Sequence, residues 1–230
     1  MMILSSGTVI QHRLTIVEGW TSWQIAEYLN GLDNLENPVT DLPREGTILP
    51  ETYLYTRNAS RHDLIRRMQI RQLDLLDEIW DKRAAGLPFV SVEEALILAS
   101  IVEKETAVGH ERAHIAGVFI NRLRRSMRLQ TDPTVIYGID RKGYLDRAIT
   151  VSDLKADNPY NTYKIKGLPP TPIAHPGRAS IEAVLHPLET NDLYFVADGT
   201  GGHAFSDNLK DHLNNVKKWR KIEKDNKGER

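Results

Sequence analysis

Two glutamates, Glu103 and Glu105, interrupt the apolar run LASIVEKETAV at residues 98–108. A carboxyl group set among apolar side chains loses the water that stabilises its charge. Its pKa then rises toward the range in which it can act as a general acid at neutral pH. The spacing separates the two residues: on a helix, positions two apart point to nearly opposite sides, at about 100° per residue. Leu98, Ile101, Val102 and Val108 fall within roughly 60° of Glu105, whereas Glu103 lies with Ala99, Ser100 and Ala107. Glu105 is therefore the candidate acid, centred on the apolar stripe. The plainer reading of the same residue is one half of an ion pair, with Lys104, His110 or Arg112 as its partner.

A second set of polar and aromatic residues follows. MRLQTDPTVIYG, residues 127–138, carries Gln130, Thr131, Asp132 and Tyr137, and YNTY, residues 160–163, carries Tyr160, Asn161 and Tyr163. Amides and carboxylates match the paired donors and acceptors of sugar hydroxyls, and aromatic rings pack on sugar C–H faces. Each residue alone is equally at home in a turn or a core, Asp132 and Asn161 as caps and the tyrosines as packing. In LYFVADGTGGHAFSD, His203 and Phe205 are two apart on a strand-like segment and share a face. His203 suits a bond to a sugar oxygen, a proton transfer, or a purely structural role.

Other chemistries have less support. The 230 residues contain no cysteine, which removes disulfides, thiolate metal sites and cysteine nucleophiles. There is no GxxxxGK[ST], no GxGxxG after a strand and no GxSxG, so phosphate loops and the serine-hydrolase elbow are absent. No metal or other cofactor is expected. A formal net charge of -1 supplies no basic field for a nucleic-acid partner.

These groups need elements to carry them. Ser91 and Glu94 form a capping box and Gly109 offers a C-terminal cap, which predicts a helix over about 92–108. Before it, Ser60 caps a long helix with Leu64, Ile65, Met68, Leu75, Leu76 and Ile79 at helical spacing, stopped by Gly86 and Pro88. After it, HERAHIAGVFINRLRRS turns Ile115, Val118, Phe119 and Leu123 inward. Asp132-Pro133 starts a short helix, VSDLKA is a capped turn, and DNPYNTYKIKGLPPTPIAHPG is loop. LYFVADGTGGHAFSD reads as a hairpin, and NLKDHLNNVKKWRKIEK as a helix fraying into DNKGER.

At the other end, QHRLTIVEG is a strand, Thr21 caps a helix over WTSWQIAEYLN that Gly31 ends, and Pro38, Pro43 and Gly46 mark a linker. The fold class is α+β: a helical core carrying Glu105, with small antiparallel sheet or hairpins. It is divided into a strand-helix unit over 1–43 and a main domain over 44–230. No run approaches the ~20 apolar residues of a membrane span, and Met1-Met2-Ile3-Leu4 lacks a charged flank or cleavage site. So abrupt a start suits a boundary inside a longer protein.

Taken together, SIVEKETA, VFINRL, MRLQTDPTVIYG, YNTY, GLPP and LYFVADGTGGHAF, in that order over roughly residues 44–216, resemble the YceG-like or MltG family of endolytic murein transglycosylases. LTIVEGWTSWQIAEYL resembles the later strand and helix of that family's LysM-like subdomain. The resemblance implies a bacterial enzyme held by an N-terminal membrane anchor, with its catalytic part outside the cytoplasm. It would act on nascent peptidoglycan strands, without a cofactor, in company with cell-wall synthases such as penicillin-binding proteins. It also implies that the second glutamate of ExE, here Glu105, is catalytic. Gln130, Asp132, Tyr160, Asn161, Thr162 and His203 fall on motif positions and, with Tyr137, Tyr163 and Phe205, make up the expected substrate-binding set.

The chain departs from the family pattern at Thr171, where glycine is common after GLPP, and at His175, where asparagine is common. In the reaction the resemblance implies, the C6 hydroxyl of N-acetylmuramic acid closes on its own anomeric carbon. One residue then suffices as acid and base, and the second carboxylate of an ordinary glycosidase is not needed. A hydrolytic muramidase using Asp132, and a catalytically silent peptidoglycan-binding scaffold, are the alternatives.

Overall fold

The computed structural model describes residues 10–228, with side chains through residue 225. Met1–Leu4, whose flank the sequence reading weighed, and the last two residues, 229 and 230, lie outside the described residues. Strand β1 (Gln11–Thr15) leads to helix α1 (Ser22–Asn30). Thr21 and Gln24 close a reciprocal capping box at its start, and the Gly31 N–H bonds Glu27 O at its end. Short strand β2 (Leu35–Glu36) pairs in parallel with β4 (Ala59–Ser60). β1 pairs antiparallel with β3 (Thr52–Thr56), from Gln11 opposite Thr56 to Thr15 opposite Thr52.

Helix α2 (Arg61–Ile79) joins two hydrophobic cores. Its first half places Leu64, Ile65 and Met68 in a small core with Leu14, Ile16, Ile25, Leu29, Ile48, Tyr53 and Tyr55. Its second half places Leu75, Leu76 and Ile79 in the main core. Arg61, buried at the start of α2, donates to the carbonyls of Leu29, Leu32 and Leu35. A cation is thus lodged where the C-terminal dipole of α1 favours one. The small core draws side chains from both sides of residue 43, so the strand-helix unit of 1–43 is packed together with residues through 68.

The main core is helical. Helices α3 (Val92–Glu105), α4 (Arg112–Arg124) and α7 (Arg178–Leu185) pack on one another. Helices α5 (Asp132–Ile139) and α6 (Val151–Lys155) lie between them in the chain. The Ser91–Glu94 capping box forms in full. The helix stops at Glu105, three residues short of the expected end, with extended backbone at Thr106. The Thr106 hydroxyl accepts the N–H of Val108, a local bond that competes with a further helical turn. Gly109 instead opens a 3-10 turn over Gly109–Glu111 that leads into α4.

Helix α7, between the proline-rich loop and the hairpin, has no counterpart in the sequence reading. It is only eight residues long and Gly177 gives it no side-chain cap. The hairpin forms as expected from β5 (Tyr194–Ala197) and β6 (His203–Ser206). The terminal helix α8 (Leu209–Gly228) runs on where the tail DNKGER was expected to fray. The architecture is mixed α and β, with three two-stranded sheets among the described residues. No helix among them is long and apolar enough to cross a membrane.

Candidate active site

Glu105 is the last residue of α3, so its carboxyl emerges where the helix ends rather than along its flank. It accepts a short hydrogen bond from the Thr131 hydroxyl, its one hydrogen bond among the described residues. Burial pushes its pKa up, and the neighbouring Asp132 charge adds to this. The Thr131 bond and the charges of His203 and Arg122 pull the other way. Two of the three partners first considered for it are engaged elsewhere: Lys104 donates to Gly19 O, and Arg112 faces Glu103 and Glu18.

Glu103 differs from Glu105 less in burial than in company. From Ala95 to Val102 every residue of α3 is buried, so the Ala99–Ser100 side is as much interior as the stripe carrying Glu105. The Glu103 side chain is 5% exposed, accepts the Gly177 N–H at 2.8 Å and lies 3.5 Å from the Arg112 guanidinium. It ties α3 to the start of α7 and to α4.

Around Glu105 the structure gathers part of the expected substrate-binding set. Asp132, first residue of α5, accepts a 2.6 Å bond from the Tyr163 hydroxyl. Burial and this carboxylate push the phenol upward. Thr162 is fully buried; its hydroxyl accepts the Thr131 N–H at 3.0 Å and pairs with that of Thr134 at 2.8 Å. It thus fixes the residue that holds Glu105. Gln130 has an exposed side chain, and its backbone N–H bonds Thr162 O. Its φ of 52° is a left-handed conformation, uncommon outside glycine. His203 donates two bonds to a residue the sequence did not single out: Glu111 accepts its Nδ1–H at 2.7 Å and its backbone N–H at 2.9 Å.

Other members lie apart from that cluster. Asn161 is fully buried and donates to the carbonyls of Asp153, Leu154 and Ala156, closing the C-terminal end of α6. It is framework in this structure, as a buried amide in a loop of this length must be bonded. Phe205 stacks on His114, ring centroids 3.5 Å apart. Tyr137 and Tyr160 line a different cavity of about 280 Å³ with Trp23, Glu45, Arg141 and Thr171. The Arg141 guanidinium lies 4.6 and 4.2 Å over their two rings.

That second cavity contains its own buried carboxylate. Desolvation raises the Glu45 pKa to about 7, against the bonds it accepts from Ser22 and Tyr137. Behind it His175 is fully buried, and burial lowers its pKa to about 3. Its Nδ1 accepts the Ile48 N–H, so the proton is on Nε2, which faces the Ser22 hydroxyl at 2.9 Å. The unusual His175 therefore braces the interior of the loop, and Thr171 meets the Tyr160 hydroxyl at 2.9 Å.

An open cavity of about 610 Å³ beside Glu105 is lined by Thr15, Glu18, Glu51 and Thr52 from the β1–β3 side and by Glu103, Lys104, Glu105 and Arg112 from the main core. It is the size of an extended ligand rather than a single small group. Residues missed from sequence are Arg122 and Glu111, although Arg122 sits in the quoted motif VFINRL; Thr131 stood among the polar residues of MRLQTDPTVIYG, without a role of its own. HERAH at 110–114 also has the HExxH spacing of zinc-binding helices. That motif needs both histidines on one helix face. Here His110 lies in the 3-10 turn before α4, Glu111 is bonded to His203, and His114 bonds Asp192 at 2.7 Å. No group of three or more His, Asp or Glu among the described residues is arranged to hold a metal ion.

The pattern that defines the YceG-like family matches residues 1–218. The chain is 43% identical over 171 residues to the endolytic murein transglycosylase of Bacillus subtilis (strain 168), covering 74% of this chain and 46% of that protein. It is 35% identical over 210 residues to the endolytic murein transglycosylase of Streptococcus pneumoniae (strain D39), covering 86% and 37%. The chain thus spans less than half the length of these two relatives. The crystal structure of a yceG-like protein from Listeria monocytogenes superposes with a TM-score of 0.73 at 32% identity, over 88% of this chain and 75% of that one.

Proposed function

The chain belongs to the YceG-like family, and from that membership we propose that it is the catalytic part of a peptidoglycan lytic transglycosylase. It cleaves the β-1,4 bond between N-acetylmuramic acid and N-acetylglucosamine within nascent strands, leaves 1,6-anhydro-N-acetylmuramic acid ends, and so terminates glycan elongation. The observation that carries this reading is the state of Glu105: a desolvated carboxyl with a raised pKa, bound among the described residues by one hydroxyl and no cation.

The steps follow from that state. Protonated Glu105 gives its proton to the leaving oxygen of N-acetylglucosamine as the C1–O bond breaks. The resulting carboxylate, stabilised by the Thr131 hydroxyl and by the charge of Arg122, accepts the proton of the C6 hydroxyl as that oxygen bonds C1. No water is consumed, and Glu105 ends protonated. Asp132 and Tyr163 border the reaction; Gln130 and His203 contact the glycan. Asn161 and Thr162 hold the supporting loop, Phe205 and His114 hold the hairpin, and Tyr137 and Tyr160 bind farther along the surface. Residues 1–43, of which 10–43 are described and pack with residues through 68, belong to the later part of a LysM-like subdomain, and 44–230 to the catalytic domain. The full-length protein acts outside the cytoplasm from a single-pass anchor in the cytoplasmic membrane, beside cell-wall synthases.

A hydrolytic muramidase remains the second reading, because Asp132 is near enough to influence Glu105 electrostatically. Mass analysis of digested glycan strands tests the choice. Anhydro ends are one water lighter than reducing ends, and reducing ends alone would reject the lyase. Strands that are bound but never cut, by a chain carrying all the residues of its relatives, would instead favour the silent scaffold.

A further inference from the structure

The environment of His203 is more specific than substrate contact alone requires. Both oxygens of Glu111 are committed to one residue, Oε1 to its backbone N–H at 2.9 Å and Oε2 to its ring Nδ1 at 2.7 Å. Glu111 itself is 8% exposed and sits in the 3-10 turn immediately before α4. The two bonds from His203 hold its carboxyl below the ordinary range in spite of partial burial. An ionised carboxylate accepts and cannot donate, so Nδ1 carries the proton. Nε2 makes no hydrogen bond among the described residues, and the ring meets Phe195 edge-on at 5.4 Å.

The hairpin is shaped to permit this contact. A Cβ on Gly202 would stand 2.7 Å from Glu111 Oε1, so a side chain there would push on the carboxylate that accepts both bonds. Hairpin and turn thus converge on the imidazole from two sides, and the histidine they fix lies within electrostatic reach of Glu105.

We infer that Glu111 is a positioning residue: it holds His203 in the Nδ1–H tautomer, leaving Nε2 as the acceptor for a sugar hydroxyl of the strand bound beside Glu105. The same logic governs any imidazole oriented by a carboxylate, where the wrong tautomer disables the ring without moving it. The inference rests on the glycan-cleaving reading, and its test has one arm that does not.

That arm is ¹⁵N NMR of histidine-labelled protein, which distinguishes protonated from bare ring nitrogens. Wild type shows His203 with Nδ1–H, and Glu111→Gln, whose amide can also donate, shifts it toward Nε2–H. A wild-type ring that is mainly Nε2–H, or one unmoved by Glu111→Gln, overturns the proposal whatever the enzyme does. The second arm is cleavage of glycan strands. Glu111→Gln loses about tenfold or more in kcat/KM, the value of one hydrogen bond in a desolvated site, and Glu111→Asp restores part of it. Gly202→Ala, which drives a methyl at Oε1, reproduces both the tautomer shift and the loss, with thermal melting confirming that each variant is folded. A shifted tautomer with undiminished cleavage overturns the proposal. Wild-type protein that cuts no glycan in the full-length chain overturns the reaction instead, leaving the tautomer result standing.

Discussion

At the C-terminal end of α3, Glu105 is desolvated, accepts one hydroxyl bond and opens toward a cavity. At the joint between the two cores, Glu45 is desolvated as well, yet its oxygens accept the Ser22 N–H and the Tyr137 hydroxyl and stand 3.5 Å from a neutral histidine. Burial raises both carboxyl groups. The difference is availability. Glu45 already accepts two donors of its own chain, whereas Glu105 accepts one, with lone pairs left for a substrate and a neighbouring charge on each side of its balance. A perturbed carboxyl marks a candidate; its remaining valence decides whether it can work.

The comparison breaks most sharply under glutamine substitution. Glu105→Gln should cost about 100- to 10,000-fold in glycan cleavage, the range of a lost general acid, while leaving the melting temperature unchanged. Cleavage assays with product mass analysis read the first effect, and an active variant would remove Glu105 from the mechanism. Glu45→Gln should leave turnover within a few-fold and act on stability instead. The folded pKa of Glu45 is raised to about 7 from 4.5, so the folded state binds more protons. Wild-type stability attributable to this group is therefore present below about pH 4.5 and lost as pH rises through 7. Denaturant titrations from pH 4 to 8 should show the variant gaining on wild type by about 3 kcal/mol across that window. A difference that does not depend on pH would mean that Glu45 is ionised throughout.

Smaller effects sharpen the same contrast. Glu103→Gln keeps an acceptor for the Gly177 N–H but loses the charge facing Arg112, and should destabilise by about 1–2 kcal/mol with cleavage retained. Loss of cleavage at unchanged stability would give Glu103 the role assigned here to its neighbour. Thr131→Val removes the one bond that favours the Glu105 carboxylate, so the pKa of Glu105 should climb further. The alkaline limb of the kcat/KM profile moves upward, and stability changes by less than about 1 kcal/mol. An unmoved limb would assign that limb to another group.

Much of the scaffold was legible because it is written locally. The Ser91–Glu94 box, the start of α5 at Asp132-Pro133 and the hairpin around the glycine turn are each specified within a few residues. The distinction between the glutamates was legible only in direction. Periodicity placed them on opposite sides of α3, but a helix buried all round has no solvent side, and Glu103 found partners 9 and 74 residues away. Side chains that cooperate across the chain were equally hidden: Glu111 with His203, Arg122 with the Leu129 and Leu193 carbonyls, Asn161 with the end of α6. Tyr137 and Tyr160 have the chemistry of sugar contacts, yet their register on α5 and the loop turns them to the Glu45 side.

The pairing of β1 with β3 also sets an order of assembly. Gln11 must wait for Thr56, and the small core closes only when Met68 has been made. At ~5–20 residues per second, β1 leaves the ribosome several seconds ahead of its partner strand. Throughout that interval it is an unpaired edge carrying Leu14 in the open. The strand-helix unit at the start of the chain is therefore finished late in its own synthesis, and its completion is timed by α2, the helix that also reaches into the main core.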